Sequence, residues 1–321
     1  MNSGCLTPSR RLFLKSGLAT VAGAFVPSIA TRLYAQEASL TGAQFRAAGK
    51  TAKIQTRELR GGLLVLMGSG GNIIVLPGGD GKLTVDSGLA TSEPQVKVAL
   101  NAISPAPLRH LLNTHWHFDH TDGNQWMHRD GAVIVAHENT RKRMSQRQSI
   151  PAFSIDFEPA PAAALPTVVF SQTHKLEFNA QMIVMDRYTP AHTDSDTSVF
   201  FENANVLHTG DTWFNGYYPF IDYDSGGSID GMIAASSENL ERTDAQTIVL
   251  PGHGDIGSRT ELVSFHNMLV DVRARVAELK KRGLPLSAAI AAKPTESYDA
   301  ALSRGFVSPE LFTSLVYRGV S

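Results

Sequence analysis

"NTHWHFDHTDGN" (residues 113–124) sets His115, His117, Asp119 and His120 within six positions. The apolar stretch "LRHLLNT" (108–114) reads as a buried strand that delivers this loop at its C-terminal end. In extended backbone, residues two apart project to the same side, so His115 and His117 can reach one ion together. Asp119 and His120 follow where the chain turns and can face a neighbouring ion. Imidazole and carboxylate together suit Zn²⁺. A polar surface loop would also be rich in such residues, but four donors at this spacing after an apolar strand point to metal.

One loop cannot complete a two-metal site. Three further candidates are His192 in "TPAHTDSDTS", Asp211 in "LHTGDTWF" and His253 in "LPGHGD". Each follows an apolar, strand-like run, where residues reach the rim of a β layer. Gly252 and Gly254 flank His253 and permit a tight turn that presents the ring. His110, His128, His137, His174 and His266 lack this setting and read as structural. His208 lies close to Asp211 but reads as a supporting residue rather than a ligand. Trp116 and Phe118 alternate with the ligands and are expected to pack or to wall a pocket. Trp213, Phe214, Tyr217, Tyr218 and Phe220 form an aromatic-rich loop after Asp211, read either as local core or as an apolar substrate wall.

Working outward, short apolar runs and Gly-rich turns predict strands at 63–67, 72–76 and 82–86 and a helix over 93–102. Gly123 to His128 begins a short helix, "AVIVA" is a strand, and 137–148 reads as a polar, basic helix. The Pro/Ala-rich "FEPAPAAALP" (157–166) reads as a surface loop. The β pattern restarts at 167–170, 174–178, 181–187, 197–202 and 205–209. A helix at 228–241, a strand at 246–250 and a long amphipathic helix at 260–281 come next. Strands followed by helices, twice over, predict two packed β layers covered by helices outside. Residues 36–321 form one expected domain, with residues 45–321 as its functional body of two similar halves.

The first 35 residues read as an export signal. Ser9 to Lys15 contains the pair Arg10 and Arg11 and precedes a mildly apolar, small-residue stretch, the layout of the twin-arginine type. The apolar run is short of the roughly 20 residues that span a bilayer, which argues against a stable membrane anchor. Cleavage is expected after Ala30 or Ala35, with a periplasmic or secreted product exported by the twin-arginine machinery. The whole chain has 321 residues, 29 basic and 30 acidic. Removing the signal leaves 25 basic and 30 acidic residues, a formal charge of −5. This balance offers no basic surface for nucleic acid. The single cysteine, Cys5, lies inside the signal, so the processed chain has no disulfide, thiolate nucleophile or zinc–sulfur site. Nothing in the sequence sets the oligomeric state.

His-x-His-x-Asp-His at 115–120, then His192, Asp211 and His253 in that order, resembles the metallo-β-lactamase superfamily. The resemblance spans about residues 55 to 270 and implies an αββα sandwich with metals at one edge between the β layers. It implies that His115, His117 and His192 bind a first metal and that Asp119, His120 and His253 bind a second. Asp211 would bridge the two. Cysteine-type members carry Cys where this chain has Asp211, and a lysine three positions later where Phe214 stands. Both departures weaken an antibiotic-hydrolase reading. "HTGDTWF" looks more like the bridging-aspartate glyoxalase II, lactonase and arylsulfatase-like branches, although no glutathione-binding region is recognisable. The tail from Ala291 resembles exported members sometimes labelled cyclases.

The resemblance and the ligand set together imply a hydrolase with two zinc ions per chain, acting on a small-molecule ester, lactone or amide through metal-activated water. Asp119 would orient that water or carry its proton. Alternatives are a β-lactamase, an iron-dependent dioxygenase on the same fold, and a non-catalytic periplasmic accessory protein. His and carboxylate ligands also accept iron or manganese.

Overall fold

Period-two alternation with both faces apolar builds the first sheet. The computed structural model describes residues 42–321; the export signal and Cys5 lie outside the described residues. The chain opens with a helix, Gly42–Lys50. Six strands follow: Gln55–Glu58 (β1), Leu64–Met67 (β2), Ile73–Gly78 (β3), Gly81–Val85 (β4), Leu108–Leu112 (β5) and Val133–His137 (β6). A small hairpin, Gln148–Ile150 (β7) with Ile155–Phe157 (β8), leads to Val168–Phe170 (β9), which pairs with β6. The sheet order is β1-β2-β3-β4-β5-β6-β9. Its first four strands pair antiparallel, and β4 through β9 run parallel. Parallel neighbours require crossovers. The helix Glu93–Ile103 connects β4 to β5, and the helix Asn124–Arg129 connects β5 to β6.

The second sheet contains Thr173–Phe178 (β10), Gln181–Arg187 (β11), Thr197–Phe201 (β12) and Val206–His208 (β13). A two-residue strand, Phe214–Asn215 (β14), precedes the helix Ile229–Glu241. Ile248–Leu250 (β15) then joins β13 in parallel, and His253–Gly254 (β16) pairs with β14. The helix Arg259–Lys281 starts on a capping box, with Ser258 and Glu261 satisfying each other's backbone N–H groups. Lys280 and Lys281 sit in its last turn, where cations oppose the helix dipole favourably.

Alternate residues of the strands divide between separate cores. Ile74 and Leu76 of β3, Val85 of β4 and Leu112 of β5 face Ile183, Val199, Phe201 and Leu250 of the second sheet. Ile73, Val75 and Leu111 point the other way, onto Val96, Leu100 and Met127 of the flanking helices. On the second sheet Val249 faces outward, into a cluster with Leu262, Phe265 and Val272 of the long helix and Phe312 and Val316 near the C-terminus. The result is helix, sheet, sheet, helix, the layered sandwich expected from the sequence.

Several elements differ from the sequence reading. The helix expected over 137–148 ends at Met144. Pro151 cannot continue a helix and holds Ile150 extended, so this segment becomes the β7–β8 hairpin around the turn Pro151–Phe153. β1 has no apolar alternation, since all four residues are exposed; it is recruited by pairing with β2. The tail beyond residue 281 forms three more helices, Leu286–Ala291, Glu296–Leu302 and Pro309–Gly319. The 157–166 connector is not wholly a surface loop: Ala164 is buried and its carbonyl accepts from Asn124 Nδ2.

Ile74 is fully buried between the two sheets. Ile74→Ala should lower unfolding free energy by about 2–5 kcal/mol, the range for large-to-small core changes. Equilibrium denaturation of the metal-free protein measures it, and a loss below about 0.5 kcal/mol would contradict this placement.

Candidate metal centre

Four strands end at one rim of the sandwich, and the loops that leave them carry the donors. His115 and His117 follow β5, and Asp119 and His120 lie on the single helical turn Phe118–Thr121. His192 lies between β11 and β12, Asp211 on the turn Gly210–Thr212 after β13, and His253 just after β15. Gly254 takes φ +100°, and a Cβ on Gly252 would fall 1.8 Å from Asp211 Oδ1. Glycine is therefore required on both sides of His253, once for backbone conformation and once for close approach.

The seven side chains converge into two groups. One holds His115, His117, His192 and Asp211; the other holds Asp119, His120 and His253. Within the first, His192 Nε2 lies 2.7 Å from His117 Nδ1 and 3.5 Å from Asp211 Oδ2. Within the second, His253 Nε2 lies 3.1 Å from Asp119 Oδ2 and 3.3 Å from His120 Nε2. Asp211 reaches both: its Oδ2 is 3.4 Å from His253 Nε2, and its Oδ1 is 3.2 Å from His120 Nε2.

Residues behind the rings decide which nitrogen faces inward. His120 Nδ1 donates to Asp86 Oδ2 at 2.8 Å, and His117 Nε2 donates to Asp222 Oδ2 at 3.0 Å. His192 Nδ1 donates to the Phe220 carbonyl at 2.8 Å. The Thr114 hydroxyl donates to Asp86 and so accepts from His115 Nδ1 at 3.0 Å. Each arrangement leaves the opposite nitrogen with a bare lone pair aimed at the centre. Two such lone pairs meet between His117 and His192. His115 Nε2 and Asp211 Oδ1 are buried with no hydrogen-bond partner. Buried polar atoms left this way are costly, and cations set between them remove the cost. The donor set is nitrogen and carboxylate oxygen throughout, which fits a pair of divalent cations.

Without metal, protons do part of that work. Burial opposes charge on His253, but Asp211 and Asp119 outweigh it and raise its pKa to about 9. Burial likewise opposes charge on His120, and Asp211, Asp119 and Asp86 hold its pKa well above the ordinary value. His192 is the opposite case: burial and the neighbouring His117 press its pKa down to about 4. Burial works to keep Asp119 neutral, yet His120 and His253 lower its pKa to about 2.

The aromatic candidates divide between the two readings that the sequence left open, core and pocket wall. Trp213 is fully buried in the core. Tyr218 is buried too, stacked on Phe312 at 4.9 Å with its hydroxyl held by Asp299. Tyr217 packs beside Gly305. Trp116 lines a separate, open cleft of about 380 Å³ beside Arg46, Gln125 and Phe157. These four do not line the metal pocket, because the local backbone turns them into the core or toward the neighbouring cleft. Phe214 stacks on His253 at 5.3 Å and is itself buried. Phe220 and Phe118 do line the pocket. His208 spends both nitrogens on the backbone, at Asn72 O and Gly210 N, and braces the turn that carries Asp211.

Sequence reasoning missed Asp86 and Asp222, which orient two ligands, and Asp196, which accepts from the backbone N–H of His192 and Thr193. Asp86 leaves a signal: an acid closing the apolar run of β4 before a Ser-Gly pair. It is fully buried at φ +63°, a conformation uncommon for residues with a side chain. Asp222 lies in "FIDYD" and leaves no comparable signal.

Residues 66–253 match the sequence model described as the Metallo-beta-lactamase superfamily. The chain belongs to the metallo-β-lactamase superfamily. All seven donors fall inside the matched span. Among solved structures, a metallo-beta-lactamase from Pontibacter korlensis is similar at 16% identity and TM-score 0.55, covering 68% of this chain and all of that one. The DIM-1 metallo-beta-lactamase is similar at 18% identity and TM-score 0.54, over 68% of this chain and 97% of that one. A double mutant of the sec-alkyl sulfatase PisA1 reaches TM-score 0.65 at 13% identity. It covers 89% of this chain, which spans about half (54%) of that larger protein. At these identities the similarity is one of fold. Superfamily members are generally hydrolytic and typically bind metal ions, and the His/Asp cluster could hold such an ion.

The charge pattern gives a pH signature. His253 is raised from 6.5 to about 9 in the metal-free protein, so its contribution to stability is complete below about pH 6.5 and is lost as pH rises through about 9. Metal displaces that proton, so metal-derived stability grows over the same interval. The gap in Tm between metal-loaded and chelator-treated protein should therefore widen from pH 6 to pH 9. A gap that is constant or narrows across that range would refute the assignment.

Proposed function

We propose that the chain is an exported dinuclear zinc hydrolase that cleaves an ester, lactone or amide bond of a small molecule. The observation that carries this reading is Asp211, one carboxylate within 3.5 Å of His192 in the first ligand group and 3.4 Å of His253 in the second. A bridging carboxylate of this kind supports two cations held side by side rather than one structural ion. Bound there, two divalent cations would supply Lewis acidity toward the scissile carbonyl and lower the pKa of a water molecule.

The chain's own residues supply the rest. Asp119 lines the pocket and is held ionised by His120 and His253, which overcome its burial. Its Oδ2 can therefore orient a water and take its proton, then return that proton to the departing oxygen or nitrogen. Asp86 and Asp222 hold His120 and His117 in the tautomers that face the centre. No side-chain nucleophile is needed. The bridging aspartate and Phe214, in place of the cysteine and lysine of cysteine-type members, favour the ester and lactone branch over β-lactams.

Asp119→Asn keeps the shape and removes the basic oxygen. It should lower turnover of the zinc-loaded enzyme at least about a hundredfold, the lower range for general acid–base groups, with modest loss of metal. Turnover and metal content are measured on the same sample, with an aryl ester or lactone. Parent-like turnover at full metal loading would make Asp119 structural. Oxygen uptake by an iron-loaded parent would replace the hydrolase with a dioxygenase.

Export is proposed from the sequence. Arg10→Lys with Arg11→Lys should leave unprocessed protein in the cytoplasm, read by fractionation and the mass of the mature chain. Normal processing of that variant would exclude the twin-arginine route.

A further inference from the structure

Resting on the hydrolase reading, we propose that three phenylalanines from distant parts of the chain, Phe45, Phe153 and Phe306, close over the metal centre as an apolar cage that admits an uncharged alkyl or aryl group beside the scissile bond and rejects a carboxylate there. Phe45 lies on the helix Gly42–Lys50, Phe153 on the turn between β7 and β8, and Phe306 between the last two helices. Phe45 meets Phe153 at 6.3 Å and Phe306 at 5.8 Å, and Phe153 meets Phe306 at 5.7 Å, all edge to face. The cage reaches the ligands directly: Phe306 lies 5.7 Å from the His253 ring. Phe45 and Phe306 fall outside the matched span 66–253, and Phe153 falls inside it.

The composition of the wall sets the substrate class. Among the described residues, the pocket is lined by these three with Phe118, Ile150 and Phe220, and otherwise by His117, Asp119, His192, Asp211 and His253 alone. Every polar side chain lining the space is thus one of the seven candidate metal donors. No lysine, arginine, hydroxyl or amide side chain can receive an anion or a hydrogen-bonding group away from the metals. A charged group pushed against such a wall loses water and gains nothing in return. The Arg46 guanidinium does not line the pocket; it lies 5.3 Å from the Phe118 ring and is paired with Asp122. The pocket beside the ligands is narrow and only partly enclosed. Phe45 sits on a short helix tied to the body by Gln95 Nε2 at the Lys50 carbonyl and by Arg46 at Asp122.

Two substrates that differ only at the tail test the cage: 4-nitrophenyl butyrate and 4-nitrophenyl hydrogen succinate, in which a carboxylate replaces the terminal methyl. The zinc-loaded parent should favour the butyrate by about a hundredfold or more in kcat/KM, since the carboxylate must be desolvated. Phe45→Ala and Phe306→Ala admit water and should each lower that preference about tenfold, and Phe306→Lys should lower it further. A parent that handles both within about threefold, or a preference unmoved in all three variants, would overturn the cage. Binding by the metal-free protein is the second measurement, with the ketone pair butyrophenone and 3-benzoylpropionate followed by ligand-observed NMR. Tighter binding of the neutral ketone, weakened in Phe45→Ala, supports the cage. Equal binding, or no effect of either alanine variant, overturns it. If the zinc-loaded parent hydrolyses neither ester, the hydrolase reading fails, and the ketone pair still decides the cage.

Discussion

Asp211 is the constraint around which the rim is organised. It is a carboxylate almost wholly removed from water and surrounded by the rings of His115, His120, His192 and His253. Burial alone would drive it neutral; His253, His120 and His115 hold its pKa well below the carboxylate range. That balance requires the donors to arrive together from β5, β11, β13 and β15. A buried anion surrounded by lone pairs is tolerable only with compensating positive charge, supplied by protons in the metal-free protein and by cations otherwise.

The surrounding structure gives those rings one orientation each. Asp86 illustrates the economy of the arrangement. One oxygen takes the His120 proton and the Thr114 hydroxyl, and the other takes the Thr114 backbone N–H. Thr114 in turn accepts from His115, so a single residue at the end of β4 fixes ligands of both groups. Asp222 does the same for His117 while accepting the N–H groups of Asp224 and Ser225. Ordered acceptors behind four of the rings remove the freedom that would otherwise be lost on metal binding.

Ligand residues and pocket walls are interleaved along the chain. The donors and their supports lie inside the span shared with the superfamily. Of the walls beside them, Phe118, Ile150, Phe153 and Phe220 lie inside that span, and Phe45 and Phe306 lie on either side of it.

The seven side chains that converge at the rim were legible in the sequence because their types are restricted and their positions, at the ends of apolar runs, are marked by period-two patterning. The strands and their two-faced burial were legible for the same reason: alternation in β3 records both cores at once. The polar edge strand β1, the hairpin at 148–157 and the tail helices were not, since pairing or packing partners elsewhere in the chain select them. The facing nitrogen of each histidine was also not encoded locally; Asp222 is 105 residues from His117. Among the aromatics, Trp213 and Tyr218 lie close to Asp211 in sequence yet point into the core, while Phe45, Phe153 and Phe306 are far away in sequence and meet over it. The chain has 15 phenylalanines, and their chemistry is identical. What distinguishes these three is only where the backbone brings them, which residue type and spacing do not specify and the crossing of distant segments does.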